Sequence, residues 1–528
     1  MSRESPKLLV ENMNTVSVFQ NKETWFQLFF FLAIAAVYLC FPTKSYFFDG
    51  IAFAGIIEQT PELGTSLLHP NHLIYNLVGA AFYKLILRMG IEMRAVAALQ
   101  ILNSLLGALS AYVVFGILRT SLTRRYFWYA LTLLFAFSAT WWKFATDADA
   151  YIPSVLFVLI SFYLALPKQK PRPLLVAMAY SIALCFHQMA VIFFPVLVIG
   201  LFLQGNDLPQ RRRVMNALTF SVTAPVLTIA AYIFSFYSMT GTTNLAQLMR
   251  WTLSYSPDES FGFNFWDNLG FTVRGHFRLF FGGRLNAIQG LVSPPILILI
   301  VLLVLVIAIL LVQIIRNFRK PTFKRLRESL QNPARRVLLL LCLLWIAVYV
   351  VALFFIAAHH TFYRLFYLPA IVILLGLFLD SNADRIASSY RLALFVVALS
   401  LSNFITLIFP YSHVQKYPPL VFALERKHDW PRGTVVYYGR ANSDKSLVEY
   451  FNPGTIWKEL DTDKLDAFET DVREISARGH AVWLETTAID ELSFNPTMTD
   501  WLNSHSLKTS TRSLVTNAHN IRFVQVKP

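Results

Sequence analysis

Runs of apolar residues near the length that crosses a bilayer recur along this chain from Trp25 to Phe409. A helix of about 20 residues spans a hydrocarbon core, and in lipid each such segment must satisfy its own backbone hydrogen bonds. The candidates fall at 25–41, 72–88, 95–118, 126–145, 150–166 and 173–186, and then at 188–204, 214–238, 290–315, 337–356, 365–379 and 392–409. With 55% hydrophobic residues and a mean hydropathy of +0.50, the 528-residue chain is too apolar for a soluble fold of its size. Beyond Pro410 the sequence becomes ordinary and mixed. Two regions follow: a transmembrane domain over 1–410 and a soluble domain over 411–528. About two dozen polar residues precede the first apolar run and no small-residue cleavage site follows it, so that run reads as an anchor.

The formal charge of +15 suggests nucleic acid only until its distribution is read. The cations sit in short loops between apolar runs, where they orient a membrane protein. If 72–88 does not cross, the N-terminus and the loops 119–125, 167–172, 205–213, 316–336 and 380–391 share one side and carry 22 Lys and Arg. The opposite loops of the membrane region then carry 9. If 72–88 did cross, Arg316, Arg319, Lys320, Lys324, Arg325, Arg327, Arg335 and Arg336 would all lie outside, against the positive-inside bias. His72, Asn76, Gly79 and Tyr83 also form a polar stripe on that segment, as on a helix lying in the interface. The expected fold is therefore mainly α: about eleven spans, an interfacial helix in the first outer loop, an inner N-terminus and an outer C-terminal domain.

Ionisable residues then gather at the outer face. The first outer loop carries Asp49, Glu58, His69 and His72; a short turn carries Asp147 and Asp149; His187 opens a span, and His359-His360-Thr361-Phe362-Tyr363-Arg364 precedes another. Such groups at membrane depth mark pathways and sites. Each also has a plainer reading. Asp49, Asp147 and Asp149 fit helix caps, His187 fits a satisfied core histidine, Arg364 fits a snorkelling anchor, and His69 with His72 fits a loop folded around Pro70.

The arrangement as a whole resembles the GT-C superfamily of integral-membrane glycosyltransferases. It comprises a span, the aromatic-Asp loop Tyr46-Phe47-Phe48-Asp49, then His69-Pro70-Asn71-His72-Leu73-Ile74-Tyr75 heading an interfacial helix, and two spans bracketing Arg119-Thr120-Ser121-Leu122-Thr123-Arg124-Arg125 before the acid turn. The runs Ala183-Leu184-Cys185-Phe186-His187-Gln188 and Tyr363-Arg364-Leu365-Phe366-Tyr367-Leu368-Pro369 resemble its protein O-mannosyltransferase and aminoarabinose-transferase branch. The resemblance covers roughly 25–409. It implies transfer of a sugar, with inversion, from a polyprenyl-phosphate or dolichyl-phosphate donor to an acceptor hydroxyl of a glycan, lipid or protein.

On that resemblance Asp49 is the general base, while Asp147 and Asp149 orient acceptor or sugar or hold a divalent cation. Arg364, His187, Arg274 and Arg278 are the candidates to bind the donor phosphate, the last two sharing a helix face with interfacial anchoring as the alternative. Glu58, His69 and His72 belong to the substrate loop, and the aromatic-rich loop 241–289 suits a lid. No cofactor is required. Asp49 is followed by Gly50 rather than a second acid, and no acidic triplet occurs, which weighs against a divalent metal.

In the soluble region 434–438, 481–485 and 521–526 read as strands. A helix over about 463–478 has Leu465, Phe468, Val472 and Ile475 as its stripe, Asp461 or Thr462 as cap and Gly479 as stop. This small α/β domain suits acceptor recognition or stability. The cysteines Cys40, Cys185 and Cys342 lie in apolar runs without metal-ligand spacing. Two other classes stay open, a transporter or flippase of lipid-linked sugars and a non-catalytic scaffold; the acids at one face and the absence of repeats weigh against the transporter. A bacterial inner membrane is the expected location, with the endoplasmic reticulum membrane as the alternative.

Overall fold

The computed structural model describes residues 22–527 except 168, 206–207, 255–262, 284–292, 317–325, 382–385, 414–417, 428–429, 440–443, 462–464, 494–495 and 516–519. Arg319, Lys320, Lys324, Arg325 and Thr462, with parts of the expected lid, lie outside the described residues. Helix α1 (Lys22–Cys40) is followed by α2 (Phe48–Gln59), α3 (Tyr75–Arg88) and α4 (Ala95–Ser121). The chain continues as α5 (Arg125–Ala136), α6 (Ala139–Ala145), α7 (Tyr151–Leu164), α8 (Pro173–Phe186), a 3-10 turn over Gln188–Phe193 and α9 (Phe194–Leu203). Next come α10 (Gln210–Thr240), α11 (Leu245–Leu253), α12 (Phe265–Phe280), α13 (Pro294–Arg316) and α14 (Pro333–Ile356). A 3-10 turn over Phe362–Phe366 leads to α15 (Leu368–Ser381) and α16 (Ile386–Asn403), and a π turn over Phe404–Ile408 to α17 (Phe409–His413).

The protein is a multi-pass integral membrane protein. Among the described residues six helical stretches are long and apolar enough to cross a bilayer, and shorter apolar helices over 151–164, 173–186, 188–203 and 368–381 lie where the sequence places further spans. The segment 126–145 is broken at Phe137 and Ser138 instead of running straight. The carbonyl of Phe137, freed by the break, accepts a hydrogen bond from Asn403 Nδ2 at 2.9 Å, which makes the kink tolerable inside the bundle.

The loop between α1 and α4 returns to the side on which it began. Glu23 at the start of α1 pairs with Arg125 at 3.5 Å, beside the end of α4, while Gln100 near the start of α4 donates to the carbonyl of Thr43 at 2.7 Å, just beyond the end of α1. Helices α1 and α4 are thus antiparallel neighbours, and α2 and α3 stay at one end between them. The polar stripe of α3 has a different purpose from the one expected. His72 and Asn76 are buried, and a Cβ on Gly79 would lie 2.4 Å from Leu99, so the stripe packs against protein while Leu85, Leu87 and Met89 are exposed. Small and polar side chains let this helix approach α4, and lipid-facing positions take the apolar ones.

The C-terminal region consists of α18 (Pro418–Glu425), β1 (Val435–Tyr438), α19 (Lys445–Phe451), β2 (Ile456–Glu459), α20 (Leu465–Ala477), β3 (Val482–Glu485), α21 (Thr486–Ser493), α22 (Pro496–His505), β4 (Ser506–Val515) and β5 (Asn520–Val526). The sheet order is β2-β1-β3-β5-β4, parallel among β1, β2 and β3 and antiparallel at β5 and β4. Strands β2 and β4, the two edges of the sheet, escape the sequence reading. Phe468, Val472 and Ile475 of α20 pack on Val435, Tyr437 and Leu484. The opposite face of the sheet, through Val436, Tyr438 and Trp457, joins a core with Ile51, Phe53 and Ile57 of α2 and Leu99 of α4. Helix α2 is therefore clamped between the bundle and the C-terminal region, with Asp49 at its first turn.

Candidate active site

Asp49 does not cap α2. The N-cap is Phe47, and Asp49 sits one residue inside the helix, where the helix dipole favours its anion and burial opposes it. Burial prevails and pushes the Asp49 carboxyl up to about 6. The residue after it sets the geometry: a Cβ on Gly50 would lie 2.0 Å from the carbonyl oxygen of Ala148, so only glycine lets α2 seat against the acid turn. Asp147 and Asp149 flank that contact, and both are fully buried. The acids of two distant loops are thereby brought together.

The two turn acids are treated differently by their surroundings. Asp147 Oδ2 accepts from the backbone of Phe47 and from Lys143 Nζ, each at 3.0 Å, and its Oδ1 accepts from the N–H of Ala148. It ties the turn to the first outer loop. Asp149 accepts only from the N–H of Tyr151 at 3.3 Å, and its Oδ2 is buried without a partner. Burial first, and then the charges of Asp49 and Asp147, drive the Asp149 carboxyl well above the usual range. The turn itself is held by Asn103 of α4, whose Nδ2 donates to the carbonyls of Asp147 and Asp149 at 2.8 and 2.7 Å.

His187 lies against Tyr151 and His72, its ring 4.7 Å from the first and 4.6 Å from the second, centroid to centroid. It caps the 3-10 turn after α8: Nδ1 accepts from the N–H of Met189 at 3.0 Å, which places the proton of the neutral ring on Nε2. That Nε2 is buried and unpartnered, and burial keeps the ring neutral by lowering its pKa well below normal. Tyr363 closes the group; burial and the nearby Asp49 push its hydroxyl up to about 12. His69 and His72 stack 5.6 Å apart, with burial lowering them to about 4 and about 3. His72 binds the carbonyl of Phe186 and the amide of Asn71, each at 3.4 Å, and so fastens the loop around Pro70 to the His187 turn.

Other expected residues stand elsewhere. Arg364 is 1% exposed and spends its guanidinium on backbone carbonyls of His360, Ala358 and Phe271, at 2.7, 2.8 and 3.4 Å, under Gly275 of α12. These bonds, from Nη1 and Nη2, tie the 357–364 turn to α12, while Arg364 Nε is buried without a partner among the described residues. Glu58 is likewise committed: it accepts from Arg94 Nε at 2.8 Å and from Tyr450 Oη at 3.1 Å, joining α2 to α4 and α19. Arg274 and Arg278 do lie four apart on α12, with Arg274 exposed. The backbone of that helix meets the start of α6, where Thr140 Oγ1 donates to the carbonyl of Arg278 at 2.8 Å.

Asn103, Lys143, Tyr151 and Tyr363 were not singled out from sequence. Lys143 had a usable signal, its spacing of four from Asp147 on one helix turn. Asn103 had none, because a lone amide in an apolar span reads the same wherever it points. Among the described residues no group of three or more His, Cys, Asp and Glu converges as a metal site.

No family model and no curated protein matches the chain. Solved structures do. ArnT from Cupriavidus metallidurans bound to undecaprenyl phosphate aligns with a TM-score of 0.58 and 12% identity over 96% of this chain and 98% of that chain. This chain has the ArnT fold. The apo form of ArnT aligns equally, with a TM-score of 0.58 and 13% identity over the same shares. The archaeal oligosaccharyltransferase AglB from Archaeoglobus fulgidus aligns more loosely, with a TM-score of 0.44 and 11% identity over 87% of this chain and 70% of that chain. The likeness to ArnT runs along nearly the whole chain, and an ArnT-like bundle is the frame on which these acids are mounted.

Proposed function

We propose that this chain is a GT-C-type glycosyltransferase that moves a sugar, with inversion, from a polyprenyl-phosphate or dolichyl-phosphate donor to an acceptor hydroxyl at the outer face of the membrane. The observation that carries the reading is the half-buried Asp49, with its carboxyl near 6, seated beside the under-bonded Asp149 by the contact of Gly50 with Ala148. A base poised near operating pH is what proton removal from a hydroxyl needs. The undecaprenyl phosphate bound to ArnT supports a lipid-phosphate donor for a chain of the same fold.

In this mechanism Asp49 takes the acceptor proton as the acceptor oxygen attacks the anomeric carbon from the face opposite the phosphate. The carbon–oxygen bond to the phosphate breaks, and the lipid phosphate leaves with the electron pair. Phosphate is a stable leaving group, so no acid is needed on that side. His187 Nε2–H is a neutral donor free to hydrogen-bond a phosphate oxygen, and Arg274 and Arg278 supply positive charge from α12. Asp149, kept protonated by its surroundings, donates to a sugar or acceptor oxygen. The reaction runs without a cofactor or a divalent metal. The N-terminus faces the cytoplasm, the region 411–528 lies outside and serves acceptor binding or stability, and the membrane is the bacterial inner membrane.

The test is transfer of label from polyprenyl-phosphate sugars to candidate acceptors by the purified protein, with and without chelator. Wild type is expected to transfer with and without chelator, and Asp49→Asn is expected to lose transfer. Equal rates for wild type and Asp49→Asn would remove the assigned base.

A further inference from the structure

The helix that carries the proposed base is fastened from beyond the bundle. Past the end of α1, the N–H of Lys44 donates to the carbonyl of Tyr411 at 2.7 Å, and the ring of Tyr46 lies 6.2 Å from that of Phe451 on α19, centroid to centroid. Toward the other end of α2 stands Tyr450, 5% exposed, so close to Gly55 that a Cβ there would lie 3.6 Å from Tyr450 Cδ2. Along the chain, Asp49 thus falls between two contacts with one helix of the C-terminal region.

Tyr450 also completes α4. Arg94, at the N-cap of α4, supplies no side-chain cap, and the first N–H groups of a helix need acceptors from elsewhere. Other elements meet that need: the N–H of Ala95 donates to Glu58 Oε1 at 2.8 Å, and that of Val96 to Tyr450 Oη at 3.2 Å. Tyr450 Oη in turn donates to Glu58 Oε1 at 3.1 Å, so one hydroxyl joins the last turn of α2 to the first turn of α4. Arg94 closes the group, its Nη2 donating to the carbonyl of Tyr450 at 2.7 Å and its guanidinium lying 4.0 Å from the centre of the Tyr450 ring.

Both helices lead to the acids. Asp49 is on the first turn of α2, and Asn103, about two turns beyond Val96 on α4, holds the carbonyls of Asp147 and Asp149. Gln100, also on α4, donates to the carbonyls of Thr43 and Thr146 at 2.7 and 3.1 Å. The spacing of α2 from α4 is therefore the spacing of Asp49 from the turn acids, and a misplacement of about 1 Å at a reacting centre costs on the order of a hundredfold. We infer that Tyr450, a residue of the C-terminal region, is a positioning residue of the transfer site, its hydroxyl setting the separation of Asp49 from Asp149. The inference rests on the reading of Asp49 as the base. A tyrosine that only fixed the C-terminal region to the bundle would leave turnover per folded molecule untouched.

The experiment compares wild type with Tyr450→Phe, which keeps the ring and its packing on Arg94 and Gly55, as full chains in nanodiscs. Hydrogen exchange reads the joint without turnover, because the N–H of Phe47 bonds Asp147 Oδ2 across it. Peptides covering 44–50 and 147–151 are expected to exchange faster in the variant, and the C-terminal sheet at its wild-type rate. In transfer from polyprenyl-phosphate sugar, kcat per folded molecule is expected to fall about tenfold with KM for the donor unchanged. Glu58→Ala strips the same joint from the other side and is expected to lower kcat alike, with the double variant no slower than either single one. Glu58→Gln keeps Oε1 as an acceptor and is expected to transfer as wild type does. Unchanged exchange at 44–50, an unchanged kcat, or losses that add in the double variant would each overturn the inference. Asp49→Asn separates the two failures. If it is inactive while Tyr450→Phe turns over normally, the base stands and the positioning role falls; if it transfers at the wild-type rate, both fall.

Discussion

Two carboxylates are buried at opposite ends of the same bundle, and their surroundings could hardly differ more. Asp380, at the end of α15, accepts from the N–H and hydroxyl of Thr123 at 3.0 and 2.8 Å, from the N–H of Arg124 at 3.2 Å and from Arg335 Nη2 at 2.5 Å. Asp149 has one backbone donor, a bare Oδ2 and another acid beside it. Removing one partner of a buried, fully bonded pair strands the other in the interior, whereas an under-bonded buried carboxyl holds its proton, and strongly perturbed groups of that kind cluster at functional sites. The difference separates a fully bonded acid from the under-bonded one that the proposed reaction uses.

The largest expected effect breaks the chemical side. Asp49→Asn should lower the initial transfer rate by roughly 10²–10⁴-fold, the usual contribution of a positioned base; a fall below tenfold would return Asp49 to a structural role. On the structural side, Asp380→Ala leaves Arg335 and the 122–125 turn without their acceptor and should cost about 3–5 kcal/mol of stability. Thermal unfolding in detergent would register that loss, while activity per folded molecule stays near wild type.

Acidity sharpens the contrast further. If the ionised Asp49 is the base, the rate should fall about tenfold for each pH unit below its pKa near 6 and level off above it. The same carboxyl is raised from its ordinary value on folding, so its ionisation opposes folding: stability is highest below about 4, falls as pH rises toward 6 and stays lowered above. Asp49→Asn should therefore be more stable than wild type at pH 8 by about 1–2 kcal/mol, allowing for its partial exposure, and equal to it near pH 4. The smallest effect belongs to Glu58→Gln. Its ion pair with Arg94 is partly exposed, so the loss should be about 0.5–1 kcal/mol, read by unfolding, with transfer unchanged.

Much of the architecture was legible in the residues because lipid imposes one rule on every span. Among the described residues helical runs appear where the apolar runs predicted them, and reading 72–88 as not crossing agrees with the antiparallel packing of α1 and α4. The break at Phe137 was not legible, because what permits it is an amide on α16 some 266 residues away. At the site, the acids were visible as acids and their gathering was foreseen only through a resemblance. Glu58 was assigned to the substrate loop since charge at a rim looks alike in sequence whether it meets a ligand or, as here, Arg94 and Tyr450.

What the sequence determined by itself is the class of molecule: segment lengths and the side on which cations fall are properties of one stretch at a time, which the bilayer reads locally. Which carboxylate is satisfied and which is left bare was decided by the tertiary structure alone. Satisfaction depends on donors brought from distant helices, such as Asn103 behind the acid turn and Arg335 beside Asp380, and on a single glycine that lets two loops touch.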